Sequence, residues 1–398
     1  MTPSSPELAR FTRDRFVTDV VEATGLDDFG EASWQEGLDR YLDALRATAR
    51  LNDVGVTVAG DGVVQDLTNR LRIEQWRMDH PDVAQQQIVR PIVIVGQPRT
   101  GTSILHDLLS QDPANRAPLS WEVERPVPPP RTETYWTDPR IAECQATFDL
   151  VDSIIPGFAT FHELGALLAQ EDVRIFNSDF KSMIYPLQFE VPSYNRWLLH
   201  EADMASAYRW HRRLLQHLQS EHAGERWVLK SPVHMWHLPH LLAEYPDAVV
   251  VQTHRDPLKV IASISALGAS LREMTTDHFD VRTLADQYRD DIVVCLDRVL
   301  AARRAGIVAA DQIVDLRFVE FRKDPLATVA SLYDALGLTL TADAEARMRT
   351  FLDAHPGDPD NALRRYSFAD TGLDESALRA RVQDYQEHFG VESEPLGT

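Results

Sequence analysis

Two glycines five residues apart follow an apolar run, a spacing that suits the binding of an anion. The segment reads Val95-Gly-Gln-Pro-Arg-Thr-Gly-Thr-Ser103. Such a turn gathers backbone N–H groups, and a helix that follows directs its positive end into the same space. The residues predicted to hold the anion are Gly96, Gln97, Pro98, Arg99, Thr100, Gly101, Thr102 and Ser103.

One position departs from the usual phosphate-binding loop. The spacing fits the pattern G-x-x-x-x-G-K-[ST], but Thr102 stands where the lysine is expected. In nucleoside triphosphatases that lysine spans the β- and γ-phosphates, so a terminal phosphate would be poorly held here. The nearest cation is Arg99, inside the loop. The alternative is an ordinary strand-to-helix turn that binds nothing.

A second strand–loop–helix pattern carries Arg255, with Ser263 eight residues later. Pro257 is typical of the first position of a helix, which places Ser263 about two turns from that start. The two side chains can then reach one phosphate from two sides. Both patterns lie beyond the carboxyl ends of strands, where open α/β sheets bind ligands. The alternative is a helix-capping salt bridge for Arg255 and a solvated Ser263.

Over about residues 90–390 the chain resembles sulfotransferases that use 3′-phosphoadenosine 5′-phosphosulfate (PAPS). The loop is similar to the 5′-phosphosulfate loop of the bacterial and tyrosylprotein branches. The Arg255-Asp-Pro start with Ser263 is similar to the 3′-phosphate motif of the family. The resemblance implies transfer of a sulfuryl group from PAPS to an acceptor hydroxyl, with no metal ion expected. The rival functions are a P-loop small-molecule kinase and a non-catalytic nucleotide-binding protein.

Sulfuryl transfer needs a base for the acceptor proton and cations for the charge on the leaving group. By resemblance, Lys230 is the leaving-group cation beside Arg99, and Glu122 is the base; a surface lysine and a solvated glutamate are the alternatives. Glu124 is the rival base, because the register in this region is ambiguous. The cytosolic branch uses a histidine base, for which the candidates are His162 and His234; His106, on the loop helix, is expected to pack or cap.

Near the C-terminus, residues 363–373 resemble a Tyr-Ser, Gly-Leu segment of bacterial sulfotransferases. By that resemblance, Arg364, Arg365 or Ser367 binds the nucleotide by closing over it. The alternative is a basic turn before a final helix, Ser376–Phe389. The chain lacks the Arg-Lys-Gly-x-x-Gly-Asp-Trp-Lys run of the cytosolic branch.

The elements that must position these groups alternate between strands and helices. Buried strands are predicted at Pro91–Val95, Ala248–Val251, Trp227–Leu229 and Ile313–Leu316, which are short and apolar. Helical patterns lie between them, at Thr102–Ser110, Met235–Glu244, Pro257–Leu267 and Pro325–Leu336. The alternation predicts an α/β fold, a P-loop-type three-layer sandwich with a central parallel sheet and helices on both faces.

The predicted organisation is an N-terminal helical segment, residues 1–88, and a sulfotransferase P-loop α/β domain, residues 89–398. Helices are expected within Leu8–Ala23, Trp34–Leu51 and Val63–Met78, with a packing role or a role in a homodimer. Residues 125–225 are expected to form an insert or lid that lines the acceptor site. The many aromatic residues at 151–200 favour an apolar acceptor, such as a lipid, a sterol or an aryl compound; their alternative is a core or lid.

Composition restricts the partners further. A net charge of −21 argues against nucleic acid or an anionic membrane as the main ligand. Cys144 and Cys295 are far apart and predict neither a disulfide framework nor a zinc site. There is no apolar run of the roughly 18 residues that a membrane span needs, and no signal-peptide pattern. We therefore expect a cytoplasmic protein without an integral membrane segment.

Overall fold

A five-stranded parallel sheet forms the centre of the protein. The structure is a computed structural model that describes residues 8–154, 164–355 and 367–396. The strands, in the spatial order β2-β3-β1-β4-β5, are β1 Ile92–Gly96, β2 Asn115–Arg116, β3 Arg226–Lys230, β4 Val249–His254 and β5 Ile313–Arg317. In the centre, Val93 of β1 pairs with Leu229 of β3 and with Val250 of β4. All four predicted strands are present, and the two-residue β2 had not been predicted.

Helices surround this sheet. The α-helices of the described residues are α1 Arg13–Thr24, α2 Trp34–Thr48, α3 Asp53–Asp79, α4 Thr102–Ser110, α5 Ser120–Glu124, α6 Pro139–Ile154, α7 Asp172–Ile175, α8 Ile184–Gln188, α9 Pro192–His200, α10 Ala205–Gln219, α11 Val233–Trp236, α12 Leu238–Glu244, α13 Pro257–Thr275, α14 Val281–Arg304, α15 Phe318–Lys323, α16 Pro325–Leu336, α17 Ala342–Ala354 and α18 Glu375–Phe389. The predicted bounds of α4 and α16 are confirmed. The predicted helix at Pro257 continues eight residues further, and the one at 235–244 is divided into α11 and α12. None of the helices in the described ranges is long and apolar enough to cross a membrane.

The alternation of side chains along β1 divides the core into two layers. Ile92 and Ile94 pack with residues of α4, α16 and α17 on one face. Val93 and Val95 pack on the other face, in a cluster that includes residues of α10, α13 and α14. All of β1 is buried, because both faces of the sheet are covered. The predicted α/β architecture with helices on both faces is therefore confirmed.

The N-terminal helices share the second of these layers. Apolar residues of α1, α2 and α3 lie in the same core cluster as Val93 and Val95. Asn52 caps α3 by accepting a hydrogen bond from the N–H of Gly55 (2.8 Å), and its own N–H donates to the carbonyl of Thr275 (3.0 Å). A Cβ added to Gly55 would lie 2.1 Å from the same carbonyl oxygen, so glycine allows α3 to approach the end of α13. The division of the chain at residue 88 stays a prediction.

Candidate active site

The glycine loop is held rigidly between β1 and α4. A Cβ added to Gly96 would lie 2.0 Å from Oγ1 of Thr253 on β4, so the loop leaves the sheet where no side chain fits. Gly101, at φ 85°, adopts a left-handed conformation that glycine tolerates best. Oγ1 of Thr100 donates to the carbonyl of Gln97 (2.7 Å) and lies 2.6 Å from Oγ1 of Thr253. The loop is thus fixed directly before the first turn of α4, whose N–H groups have no acceptor within the helix.

The structure brings together the two predicted anion-binding regions. Nε of Arg99, in the loop, donates to Oγ of Ser263 on α13 (3.0 Å). Nη1 of Arg255 donates to the carbonyl of Arg99 (2.9 Å), and its guanidinium lies over the ring of Phe318, 4.2 Å from the centroid. Burial, and then the charge of Arg255, lower the pKa of Arg99 from its ordinary value. Two cations and a serine hydroxyl therefore adjoin the N-terminus of α4.

Asp256, the residue after Arg255, caps the N-terminus of α13. Asp256 accepts a hydrogen bond from the N–H of Leu258 at the start of α13 (2.9 Å), and it also pairs with Arg379 of α18 (2.7 Å). Arg255 itself pairs with Glu394, near the C-terminus, through Nε (2.9 Å) and Nη2 (3.2 Å). A salt bridge for Arg255 is thus present, but it is not a helix cap.

Lys230 lies at the end of β3, directly beside the loop. Its side chain is only 1% exposed, so it is not a surface lysine. Nζ donates to Oγ of Ser103 at the start of α4 (3.0 Å) and forms an ion pair with the carboxylate of Glu171. Sequence reasoning missed Glu171. The available signal was the adjacent acidic pair Glu171-Asp172 within a segment otherwise rich in apolar residues.

A buried histidine–carboxylate pair holds the segment that carries Glu171. Asp172, the first residue of α7, accepts a hydrogen bond from Nε2 of His234 on α11 (2.9 Å). Nδ1 of His234 lies 2.9 Å from the hydroxyl of Tyr208. Burial lowers the pKa of His234, and its ring has no contact with the cavity described below. Both ring nitrogens of His234 are therefore engaged by protein groups, and its candidacy as a base stays a prediction.

The structure does not bring Glu122 to the site. Its side chain is fully buried on α5, and both carboxylate oxygens bind the guanidinium of Arg116 at 2.9 Å. The N–H of Leu119 donates to the same carboxylate (2.8 Å). These partners occupy both carboxylate oxygens of Glu122, which is not among the residues that line the cavity described below.

Of the other candidate residues, Glu124 and His106 are engaged by protein groups, and three lie outside the described residues. Glu124 borders the cavity described next, but its carboxylate is engaged by both Nε (2.9 Å) and Nη2 (2.8 Å) of Arg174. Nε2 of His106 donates to the carbonyl of Val228 (2.9 Å), and burial lowers the pKa of His106 to about 4, in agreement with the expected packing role. Three further candidates, His162, Arg364 and Arg365, lie outside the described residues.

A cavity of about 1320 Å³ opens beside the loop. Arg99, Ser103 and Glu171 line it at the loop, and α3, α6, α8 and α13 contribute its walls. The walls are rich in apolar side chains, among them Val54, Val58, Phe148, Met183, Ile184, Leu187, Trp236, Ile264, Leu267, Leu271 and Met274. The volume exceeds the roughly 300–1,000 Å³ of ordinary small-molecule sites. No group of three or more His, Cys, Asp or Glu side chains within 8–154, 164–355 and 367–396 is placed to hold a metal ion.

The aromatic residues expected to line this cavity lie elsewhere. Those of the 151–200 stretch that the structure describes pack in the core, namely Phe176, Phe180, Tyr185, Phe189, Tyr194 and Trp197. Phe158 and Phe161 lie outside the described residues. The apolar lining comes mainly from aliphatic residues of α8 and α13 instead.

Known proteins that are similar to this chain are sulfotransferases. The sequence matches the sulfotransferase family over residues 91–343. The solved sulfotransferase STF9 from Mycobacterium avium is 32% identical, with a TM-score of 0.86 over 96% of this chain and 97% of that one. Sulfotransferase STF1 from Mycobacterium tuberculosis H37Rv is 32% identical, with a TM-score of 0.82 over 93% and 98%. The omega-hydroxy-beta-dihydromenaquinone-9 sulfotransferase Stf3 from Mycobacterium tuberculosis (strain CDC 1551 / Oshkosh) is 27% identical over 282 residues, 67% of each chain. The chain therefore belongs to the sulfotransferase family and is a sulfuryl-transferring enzyme.

Proposed function

We propose that the enzyme transfers the sulfuryl group of PAPS to a hydroxyl of an apolar, lipid-like acceptor. One observation carries the proposal: the Lys230–Glu171 ion pair adjoins both the glycine loop, through Ser103, and the apolar cavity, which Glu171 lines. On one side of this pair is a cationic site that suits a nucleotide. On the other side is a space that suits a long apolar molecule. A base and a leaving-group cation are both needed at such a junction.

The residues around the loop fit the donor. PAPS has a 5′-phosphosulfate and a 3′-phosphate, and the chain offers Arg99 and Lys230 for the first and Arg255 with Ser263 for the second. Gln97 also supports a ligand here, because its side chain is buried and neither of its polar atoms has a partner among the described residues. Buried amides are normally hydrogen-bonded in proteins, so a polar ligand or water is expected beside it.

Glu171 and Lys230 have different roles in the proposed transfer. When bound, PAPS supplies the sulfuryl group: the acceptor oxygen bonds to sulfur while the bond from sulfur to the 5′-phosphate oxygen breaks and adenosine 3′,5′-bisphosphate leaves. Glu171 takes the acceptor proton on its carboxylate. Lys230, Arg99 and the N–H groups of α4 hold the negative charge at the phosphate end, where desolvation strengthens each interaction.

The shape of the cavity supports a lipid-like acceptor. Its volume of about 1320 Å³ and its aliphatic walls suit a chain of many carbons better than a small polar alcohol. A relative named for omega-hydroxy-beta-dihydromenaquinone-9 also favours a hydroxyl on a long apolar molecule.

Acceptor length tests this part of the proposal. Transfer from radiolabelled PAPS should be faster, by kcat/KM, for a long-chain primary alcohol than for a short one. Leu267→Trp, inside the cavity, should raise KM for the long alcohol about tenfold or more, as overfilled pockets do. Ile307→Trp, on an exposed residue outside the cavity, is the control. Equal rates for long and short alcohols in all three proteins would contradict a lipid-like acceptor.

Nucleotide choice separates the proposal from the rival kinase. At a concentration 100 times Kd, a ligand stabilises the fold by about 2.7 kcal/mol. With an unfolding entropy of about 2.1 cal/mol/K per residue, adenosine 3′,5′-bisphosphate should therefore raise Tm by about 3 °C. ATP with Mg²⁺ at the same concentration should raise it much less, because position 102 has no lysine. The reverse ranking would favour a kinase.

A further inference from the structure

Every nitrogen of the Arg255 guanidinium already donates to a protein acceptor. Nε and Nη2 donate to the two carboxylate oxygens of Glu394, at 2.9 and 3.2 Å, and Nη1 donates to the carbonyl of Arg99 at 2.9 Å. The ring of Phe318 covers one face of the guanidinium. Two parallel N–H···O bonds to an anion are also the geometry in which arginine holds a phosphate. The carboxylate of Glu394 therefore occupies an edge of Arg255 that a 3′-phosphate would use.

The backbone of the C-terminal segment holds Glu394 in this place. Its N–H donates to Oδ2 of Asp256 (2.7 Å), and Arg379 donates to its carbonyl oxygen (3.4 Å). Leu396, two residues later, packs against the core. The segment is therefore anchored on both sides of Glu394 by contacts that do not involve its carboxylate. A substitution of this side chain would leave the anchors in place.

The second group of the predicted 3′-phosphate site is engaged in a similar way. Oγ of Ser263 accepts its hydrogen bond from Nε of Arg99, a residue of the loop. Both Ser263 and Arg255 are thus satisfied by the protein itself. The ion pair of Arg255 with Glu394 also avoids the free-energy penalty of a partly buried cation without a counter-ion.

We propose that Glu394 is a placeholder for the 3′-phosphate of the nucleotide. The inference rests on the proposed function, in which Arg255 binds that phosphate. Without nucleotide, the carboxylate neutralises Arg255 and keeps its guanidinium directed at the loop. A carboxylate and a phosphate repel each other at one edge of a guanidinium, so the phosphate displaces the carboxylate as the nucleotide binds. Glu394 therefore weakens binding only of nucleotides that carry a 3′-phosphate, and it links the C-terminal segment to occupancy of the site.

Calorimetric titration with two nucleotides tests the proposal. Adenosine 3′,5′-bisphosphate has the 3′-phosphate, and adenosine 5′-monophosphate lacks it. We expect Glu394→Ala to bind the bisphosphate about three- to tenfold more tightly than the wild type, because a partly exposed ion pair no longer has to be broken. Its affinity for the monophosphate should change less than about twofold on the same scale of exposed-charge effects.

Glu392→Ala is the matched control, because it removes the same charge from an exposed position of the same segment. Glu392→Ala should change the affinity for neither nucleotide. If the effect were only one of total negative charge, Glu392→Ala and Glu394→Ala would change the affinities by the same factor. Weaker binding of the bisphosphate by Glu394→Ala would overturn the proposal and make the residue one that orients Arg255 in the bound state. Unchanged binding would also overturn it.

Arg255→Ala distinguishes this failure from a failure of the proposed function. If Arg255 binds the 3′-phosphate, this variant should lose most of the preference for the bisphosphate over the monophosphate. If it keeps the wild-type preference, the assignment of the nucleotide site is wrong. If it loses the preference while Glu394→Ala behaves as the wild type, only the placeholder is wrong.

Discussion

Glu122→Gln should reduce stability, whereas Glu171→Gln should reduce turnover. Glu122 is fully buried, and each of its carboxylate oxygens lies 2.9 Å from a nitrogen of Arg116. The amide of glutamine would direct an NH₂ group at the guanidinium and leave the buried cation without its counter-ion. Breaking a buried pair in this way costs about 3–5 kcal/mol. An unfolding entropy of about 2.1 cal/mol/K per residue converts this, for 398 residues, to a fall in Tm of about 4–6 °C.

Glu171→Gln should lower kcat strongly and Tm only slightly. The carboxylate lies at the cavity, is one-fifth exposed and pairs with Lys230 at the surface of the site. An amide cannot accept the acceptor proton, so kcat should fall by about 10²- to 10⁴-fold, as for the loss of a general base. The affinity for adenosine 3′,5′-bisphosphate should stay the same or rise, because the substitution removes a negative charge beside Lys230 and removes no cation from the proposed 5′-phosphate site. Its Tm should fall by less than that of Glu122→Gln.

Two assays decide between these assignments. Thermal unfolding measures Tm, and initial rates with PAPS, divided by the concentration of folded enzyme, measure kcat at a temperature well below both midpoints. The reasoning is refuted if Glu171→Gln turns over at the wild-type rate. It is equally refuted if Glu122→Gln keeps its Tm and loses turnover, since a base at that position would behave in this way.

Two further predictions concern pH and the loop. Burial lowers the pKa of His106 from 6.5 to about 4 in the folded protein. As pH drops from about 6.5 to 4, the unfolded chain therefore binds a proton at this histidine that the folded protein does not bind, and the free energy of unfolding should fall. His106→Gln, which keeps a donor for the carbonyl of Val228, should make the plot of Tm against pH flatter in that window; an unchanged slope would contradict the assignment. Gly96→Ala should lower stability by about 1–3 kcal/mol, because its Cβ would meet Oγ1 of Thr253. Calorimetry should show weaker binding of adenosine 3′,5′-bisphosphate, and adding Thr253→Ala should restore part of the lost stability if the clash is the cause.

The strands and the loop could be predicted because their signals are local. Ile92–Gly96 is wholly buried, so its residues are apolar on both faces and the run is visible in the sequence alone. The glycines at 96 and 101 are required by contacts and dihedral angles within a few residues of themselves or at the adjacent strand. The same holds for Pro257, which begins α13 at the predicted residue. These residues themselves form a pattern along the chain, even where the contact that requires one of them, as Thr253 does for Gly96, is distant in sequence.

The surroundings of Glu122 could not be predicted in the same way, because they depend on a partner that lies outside any visible pattern. Glu122 follows the loop at a suitable distance in sequence, but its role depends on Arg116, which lies on the two-residue strand β2. A strand of that length has no periodicity to detect. Without it, nothing in the sequence indicates that an arginine turns inward to meet α5. The same carboxylate at the cavity would be a reasonable base, so the difference between the prediction and the structure concerns position and not chemistry.

The position of Glu171 is set by contacts across about sixty residues of sequence. Lys230 lies 59 residues further along the chain and His234 lies 62 residues beyond Asp172. Burial pushes the pKa of Asp172 upward, but His211 and His234 more than offset this effect and hold it below its ordinary value. An ionised carboxylate is kept in the interior only where hydrogen bonds compensate for its lost hydration, so Asp172 has little freedom to move. Because Asp172 is fixed to α11, which follows the strand that ends in Lys230, its neighbour Glu171 is fixed to Lys230 as well. In the sequence the two acids are indistinguishable, and only the burial of Asp172 explains how Glu171, the proposed base, is held in place.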